Sequence, residues 1–474
     1  MTIAVWWIRR DLRLADNQAL AAALARADEV VPVYVLDPVL LHEPTAGDKR
    51  VAFLFAGLRQ FDADLQARGS RLVVRHGEPL AELRALCDLT GAVAVCAEED
   101  HTPYARARDA RVAGELPLHL VEGVTVHPPG VVAKSSGSPY TVFTPFSRAW
   151  KALPRPLADQ VLPAPKALPP VPAAGSLPIP HSPALPGVVP FPPGESEACQ
   201  RLEAFLAAKD PPIHRYAVAR DRLAVAGTSG LSPYLRFGMI SARQAVAGAL
   251  AAASSTGSPQ AWQGVEVWLS ELIWREFYVQ ILFHFPHVSD FSFRPEYDRI
   301  AWANDSGEFA AWCERQTGYP AVDAAMRQLL QTGTMHNRAR MIVSSFLVKD
   351  LLIDWRWGEK FFMQHLVDGD PAVNNGSWQW AAGTGTDAAP YFRIFNPVLQ
   401  GKKHDPTGAY ARRWLPELEG VPDAYLHAPW MMPGDLQRRA GCVIGRDYPA
   451  PIVDHPWARE RALAAYRLAR EAAG

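Results

Sequence analysis

Eighteen of the chain's 42 prolines lie between Pro128 and Pro193, and that density constrains the fold more than any other feature. Proline fixes φ and lacks the amide proton that a helix interior or a central strand must donate. Residues 128–194 therefore read as an extended connector between two bodies, each with its own core. Within the connector, 140–150 reads as ordered, because aromatic and polar residues alternate there.

Ahead of the connector, short apolar runs at 3–8, 30–36, 72–75 and 93–96 alternate with helical periodicity at 17–27, 50–67 and 80–89. This pattern predicts an α/β domain over 1–127, Rossmann-like with a parallel sheet. Ligands of such sheets sit at the carboxyl ends of the strands, which makes the loops after Ile8, Leu36 and Cys96 the candidate pocket. Behind the connector, apolar spacings of three and four recur at 202–209, 242–253, 262–285, 309–316, 322–331 and 337–352. No strand pattern appears there, so 195–474 is expected to be an all-α domain.

Composition narrows the class further. No apolar run approaches the roughly 18 residues needed to span a membrane. The first 14 residues run straight into Arg9, Arg10, Asp11 and Arg13, unlike a secretory leader. Five scattered cysteines (Cys87, Cys96, Cys199, Cys313, Cys442) form no C-x-x-C pair, which argues against structural zinc and against a disulfide scaffold. A cytoplasmic protein is expected. With 48 basic and 49 acidic residues the net charge is −1, so nucleic-acid binding would need a local basic patch. Twelve of 15 tryptophans lie beyond residue 260, as core, stacking platforms or electron relays.

Five segments could carry chemistry. In the helical stretch 266–278, Glu271, Trp274, Arg275 and Tyr278 share a face. That face could stack on and bond a nucleobase, or simply hold an i,i+4 ion pair in solvent. At 336–341, Asn337, Arg340 and Met341 share a face while Arg338 points elsewhere, towards a phosphate. The stretch 368–380 concentrates Asp368, Asp370, Asn374, Asn375, Trp378 and Trp380; without His or Cys these are no transition-metal set. They suit a planar cofactor or a capped helix start. Thr228, Ser229 and Ser232 offer hydroxyls and backbone amides to phosphates. Arg393, Lys402, Lys403, Arg412 and Arg413 make 391–413 locally basic. The dinucleotide-like Gly383-Thr-Gly385-Thr-Asp-Ala388 fails, since Trp380 rather than a strand precedes it; a tight turn is expected.

Together, the opening Trp7-Ile-Arg9-Arg10-Asp11-Leu-Arg13 and the blocks 271–278, 317–327, 368–397 and 414–418 resemble the photolyase/cryptochrome family nearly end to end, and most of all its bacterial class I cyclobutane pyrimidine dimer branch. The resemblance implies an antenna α/β domain and a helical FAD domain. It implies that FAD is held by Tyr216, Thr228, Ser229, Leu231, Ser232, Glu271, Arg275, Asn337, Arg340, Asp368, Asp370 and Asn374, with Asn374 facing the redox-active ring nitrogen. It also implies light-driven, electron-transfer repair of cyclobutane pyrimidine dimers in DNA by a monomer. Trp378, Trp355 and Trp302 would relay electrons. Trp274 and Trp380 would stack on the dimer, over Glu271, Asn337 and Met341, with Arg220, Arg338 and Arg393 near phosphates. Asn374 favours repair over a cryptochrome photoreceptor, the alternative. Members that repair (6-4) lesions place histidines where this chain has Asn337 and Met341. The family's folate motif has Asn-Glu where this chain reads Tyr104-Ala105. An antenna of the deazaflavin or FMN class, at Arg10, Arg50 and Asp100, is therefore expected instead. Thr334 replaces a common tryptophan.

Overall fold

The computed structural model describes residues 1–42, 46–207, 210–254 and 257–472. The chain divides into two compact units, the first comprising Met1–Ala217, Thr228–Pro286 and Val367–Ala372, the second Val218–Gly227, His287–Leu366 and Val373–Gly474.

The first unit is built on one sheet of five parallel strands: β1 (Ile3–Ile8), β2 (Glu29–Leu36), β3 (Val73–His76), β4 (Ala94–Glu98) and β5 (Leu118–Val121), in the order β3-β2-β1-β4-β5. The central strand β1 is buried from Ala4 to Ile8, as expected where helices cover both faces. Four strands match the apolar runs. The fifth, β5, is only partly buried and carries a weaker signal. The helix Pro103–Ala113 also escaped the sequence pattern, because its buried side includes Arg108 and Asp109 rather than a continuous apolar stripe.

The proline-rich connector contains the helix Phe143–Ala152 where order was expected, and otherwise little regular structure. It lies along the β3 edge. Leu177 donates its amide to the Val74 carbonyl at 2.9 Å, and Ser176 Oγ accepts from the Val74 amide at 2.9 Å. Prolines lack N–H but keep their carbonyls. Those of Pro165 and Pro180 accept from the guanidiniums of Arg68 and Arg59 at 3.0 and 2.6 Å. A sheet edge that would otherwise present open backbone groups is thereby covered.

The second unit is helical, and among the described residues all five strands lie before residue 122. Its core packs Trp312, Phe346, Leu347, Trp355, Phe362, Trp378 and Leu415, all within 3% of full burial. One expectation is corrected. The helix read over 337–352 is α-helical only at Asn337–Ser345 and continues as a π-turn over Phe346–Asp350. All five π residues are buried, including Lys349, whose Nζ donates to the Ala382 carbonyl at 2.8 Å. The expected helix 202–209 is observed as Glu195–Leu206, and residues 208 and 209 lie outside the described residues. Gly383, at φ 81°, ends the helix Pro371–Ala382 in a tight turn whose amides return to the Gln379 carbonyl.

No helix among the described residues is long and apolar enough to cross a membrane.

Candidate functional site

Sheet order makes the loops after β1 and β4 neighbours where the winding reverses, the position at which parallel sheets hold ligands. Arg9 and Arg10 follow β1, and Asp100 follows β4. Arg9 forms an ion pair with Asp109 at 2.6 Å, and its guanidinium lies 4.6 Å from the Trp7 ring centroid. Arg10 bridges Asp100 at 3.5 Å and Asp370 at 2.5 Å. Burial alone would raise the Asp100 pKa, but Arg10, Arg108 and Arg9 outweigh it and hold this carboxylate well below its usual range. Arg236 donates to the Gly369 carbonyl at 2.7 Å. Burial, reinforced by Arg10, lowers its pKa to about 9. Burial likewise lowers Arg50 to about 10, against the pull of Asp368 and Asp370. Arg10, Arg50 and Asp100, read from sequence as an antenna set, thus belong to one charged cluster with Asp368 and Asp370, read as cofactor ligands. A cavity of about 10 Å³, room for about one water, lies among Arg10, Asp100, Thr102 and Asp370.

In the same unit, the helix Pro259–His284 is started by Ser258, whose hydroxyl accepts from the Ala261 amide, with Pro259 at its first position. Glu271, Trp274 and Arg275 are partly buried and Tyr278 is buried, so this face is not the solvated one left open by spacing alone. Arg275 donates to the Val124 carbonyl at 2.9 Å, and burial lowers its pKa. Trp274 lies flat on Phe143, with centroids 3.7 Å apart and planes 6° from parallel. The connector therefore supplies one half of an aromatic platform. Ser229 accepts from the Trp268 indole at 3.4 Å, and Gly230 at φ 65° turns the chain into the helix Ser232–Phe237. Leu231 and Tyr216 are buried.

The second unit holds the remaining residues of the expected set. Asn374 is buried, and its Nδ2 donates to the Glu359 backbone carbonyl at 3.0 Å. That bond fixes which way the amide points and leaves Oδ1 to accept. Asn337 opens its helix exposed, Met341 is partly buried, and Arg340 Nε donates to the Met335 carbonyl at 2.9 Å. Arg338 points elsewhere, as read from spacing, but onto Asp221 at 2.7 Å. Trp378 and Trp355 are 2% and 0% exposed while Trp302 is partly exposed, a gradation from core to surface. Trp378 packs edge-on to Phe362 at 4.9 Å, and Trp302 edge-on to Tyr466 at 6.1 Å. Trp380 is partly buried. Arg393, Lys402, Lys403 and Arg413 are exposed, whereas Arg412 is tied to Asp423 at 2.6 Å.

Three residues escaped sequence reasoning: Glu359, whose carbonyl orients Asn374; Phe143, under Trp274; and Asp221, on Arg338. Asp221 left a trace as the acid in Arg220-Asp221-Arg222, and Phe143 only as one aromatic of the segment 140–150 that read as ordered.

The donor set suits a flavin dinucleotide. The first unit offers hydroxyls and a positive-φ glycine in 228–232 and a partly buried guanidinium at Arg275, and the second, by itself, a fixed amide oxygen at Asn374.

Two family models match the chain: DNA photolyase over residues 4–170 and the FAD binding domain of DNA photolyase over 268–468. A curated deoxyribodipyrimidine photo-lyase from Synechococcus is 42% identical over 487 residues, covering 99% of this chain and 97% of that protein. The crystal structure of a class III photolyase from Agrobacterium tumefaciens superposes with a TM-score of 0.92 at 39% identity, covering 99% and 98% of the two chains. A Synechocystis cryptochrome structure gives 0.89 at 30% identity, covering 98% and 99%. With that identity sustained over almost its whole length, the chain belongs to the DNA photolyase family.

Proposed function

We propose that this chain repairs cyclobutane pyrimidine dimers in DNA, using blue light and bound, reduced FAD. The observation that carries the reading is the orientation of Asn374. Its amide nitrogen is committed to the Glu359 carbonyl at 3.0 Å, so it meets a flavin with oxygen rather than nitrogen. A reduced flavin carries a proton on its central ring nitrogen and needs an acceptor there; an oxidised one needs a donor. FAD, when bound, supplies the photoexcited electron that opens the dimer.

The chain's own part is binding, orientation and exclusion of water. Tyr216, Thr228, Ser229, Leu231, Ser232, Glu271, Arg275, Asn337, Arg340, Asp368, Asp370 and Asn374 hold the cofactor. Trp274, stiffened by Phe143 beneath it, and Trp380 offer ring faces to a lesion that has left the duplex stack, and a weakly paired dimer leaves it more readily than an intact base. Glu271, Asn337 and Met341 line the floor, and Arg220, Arg338 and Arg393 meet phosphates. Trp302, Trp355 and Trp378 return electrons from the surface. A second, light-gathering chromophore of the deazaflavin or FMN class suits the arginine-rich cluster of Arg10 and Arg50 better than folate does. Tyr104 stands in place of the folate motif, with its hydroxyl bonded to the Asp37 carboxylate.

The test is purified protein with dimer-containing DNA, reductant and blue light, beside a dark control. Thymines restored only under illumination are expected. Absence of repair by protein carrying fully reducible FAD would overturn the proposal in favour of a photoreceptor.

A further inference from the structure

Asp221 is an anomaly on a face read as meeting phosphates. It lies between Arg220 and Arg222 in sequence. Its main-chain carbonyl accepts from the His404 ring at 2.9 Å, and the Leu223 amide donates back to the His404 carbonyl at 3.0 Å. Those two bonds fasten the segment to the end of the helix Pro397–His404, whose last turn carries Lys402 and Lys403. A carboxylate among these cations repels a nucleic-acid backbone, and its removal should by charge alone strengthen binding.

The geometry gives Asp221 another task. Its Oδ1 accepts from both Nε and Nη2 of Arg338, at 3.2 and 2.7 Å. The Arg338 main-chain amide is held in turn by the His336 ring at 3.1 Å. The arginine is thus fixed at its backbone and along one edge of its guanidinium. A guanidinium is a planar fork, and anchoring one edge orients the other. The Arg338 side chain is 17% exposed and that of Asp221 39%, so the pair sits at the surface without being loose in solvent. Burial would raise the Asp221 pKa, but the bond and charge of Arg338 outweigh it and the net shift is downward, which keeps Asp221 ionised at neutral pH.

We propose that Asp221 is a positioning residue that holds Arg338 in the orientation in which its free edge meets a DNA phosphate. The inference rests on the reading of this face as DNA-binding. It predicts the opposite sign from charge alone, because losing the orientation of Arg338 outweighs losing one repulsion.

The experiment measures dark binding of dimer-containing duplex over a range of salt for Asp221→Ala, Asp221→Asn, Arg338→Ala and the double variant Asp221→Ala/Arg338→Ala. Bound flavin and thermal midpoint serve as checks on folding. Asp221→Ala is expected to weaken binding by about tenfold, one charged hydrogen bond's worth, and to flatten the salt slope by about one. Asp221→Asn, which keeps an acceptor oxygen and the same shape, should fall between it and the native chain. The double variant should bind no worse than Arg338→Ala. Tighter or unchanged binding by Asp221→Ala and Asp221→Asn, with Arg338→Ala weakened, would overturn the inference and leave the DNA face standing. Unchanged binding by Arg338→Ala would remove the face itself, and the inference with it.

Discussion

The Glu359 carbonyl orients Asn374, and the Glu359 side chain has a separate property. Burial pushes its carboxyl up to about 8, outweighing the opposing bond from Asn375 and the charge of Arg356. The ordinary value is about 4.3, so the folded chain favours the protonated acid. Below the ordinary value both states are protonated and Glu359 is neutral in effect. As pH rises through the window from about 4.3 to about 8, the unfolded chain gains by ionising and the folded chain cannot follow, so the residue subtracts increasingly from stability. Above about 8 the loss levels off. Glu359→Gln should therefore leave the thermal midpoint almost unchanged at pH 4 and raise it at pH 8, with the difference growing between. Melting curves of the two proteins across that range check this; a constant difference at all pH values would refute it. None of this was legible in the sequence, where Glu359 reads as one more polar residue. An elevated pKa follows from neighbours brought in by the fold.

At the scale of elements, the helices Trp355–His365 and Pro371–Ala382 meet at a glycine. A Cβ at Gly358 would lie 2.2 Å from Trp378 Cη2, 2.5 Å from its Cζ3 and 2.6 Å from Leu347 Cδ2. Glycine in a helix interior costs about 1 kcal/mol relative to alanine, and here the space it leaves is filled by an indole 2% exposed. Gly358→Ala should thus reverse the usual helix preference and destabilise by about 1–3 kcal/mol through overpacking. It should also displace Trp378 and slow light-driven reduction of bound flavin, while Gly→Ala at the exposed Gly257 does neither. Denaturant unfolding and flash photoreduction measure the two effects. Sequence periodicity found neither helix, because WRWGEKFF and PAVNNGSWQW scatter aromatics, amides and glycines over all sides. What the sequence did carry was the unusual density of Trp, Asp and Asn in 368–380, left open between a planar cofactor and a capped helix start. The helix Pro371–Ala382, with the Ala372 amide donating to Asp370 at 3.0 Å, bears out the helix start. The opposite holds for β1 and β2, whose plain apolar runs fixed their limits to within a residue. Polar helices such as Pro103–Ala113 went unread because Arg108 and Asp109 are buried by pairing, a tertiary fact.

Over the whole molecule, charge decides how DNA can be held. Forty-eight cations against 49 anions give no long-range attraction to a polyanion, so affinity must come from a few local contacts. Many arginines are already consumed internally: Arg9 by Asp109, Arg10 by Asp370, Arg13 by Glu98, Arg327 by Glu417 and Arg412 by Asp423. Along the proposed DNA face Arg393, Lys402, Lys403 and Arg413 are exposed, and Arg220 and Arg338 partly exposed. Each phosphate neutralised contributes about −0.9 to the slope of log affinity against log salt, so six contacts set a ceiling of about −5.4, little more than half that expected of a strongly basic protein making about ten. Binding of undamaged duplex should be weak and fall away with salt along this shallow line. Binding of a dimer-containing duplex should be stronger by a salt-independent margin, because stacking on Trp274 and Trp380 releases no counterions. Lys402→Ala/Lys403→Ala should flatten the slope by up to about 2 for both DNAs equally and leave the margin between them intact. Titrations of matched damaged and undamaged duplexes at several salt concentrations separate the two contributions. A margin that shrinks with salt would mean that lesion recognition is electrostatic, and the aromatic platform formed by Phe143 and Trp274 would lose its assigned part.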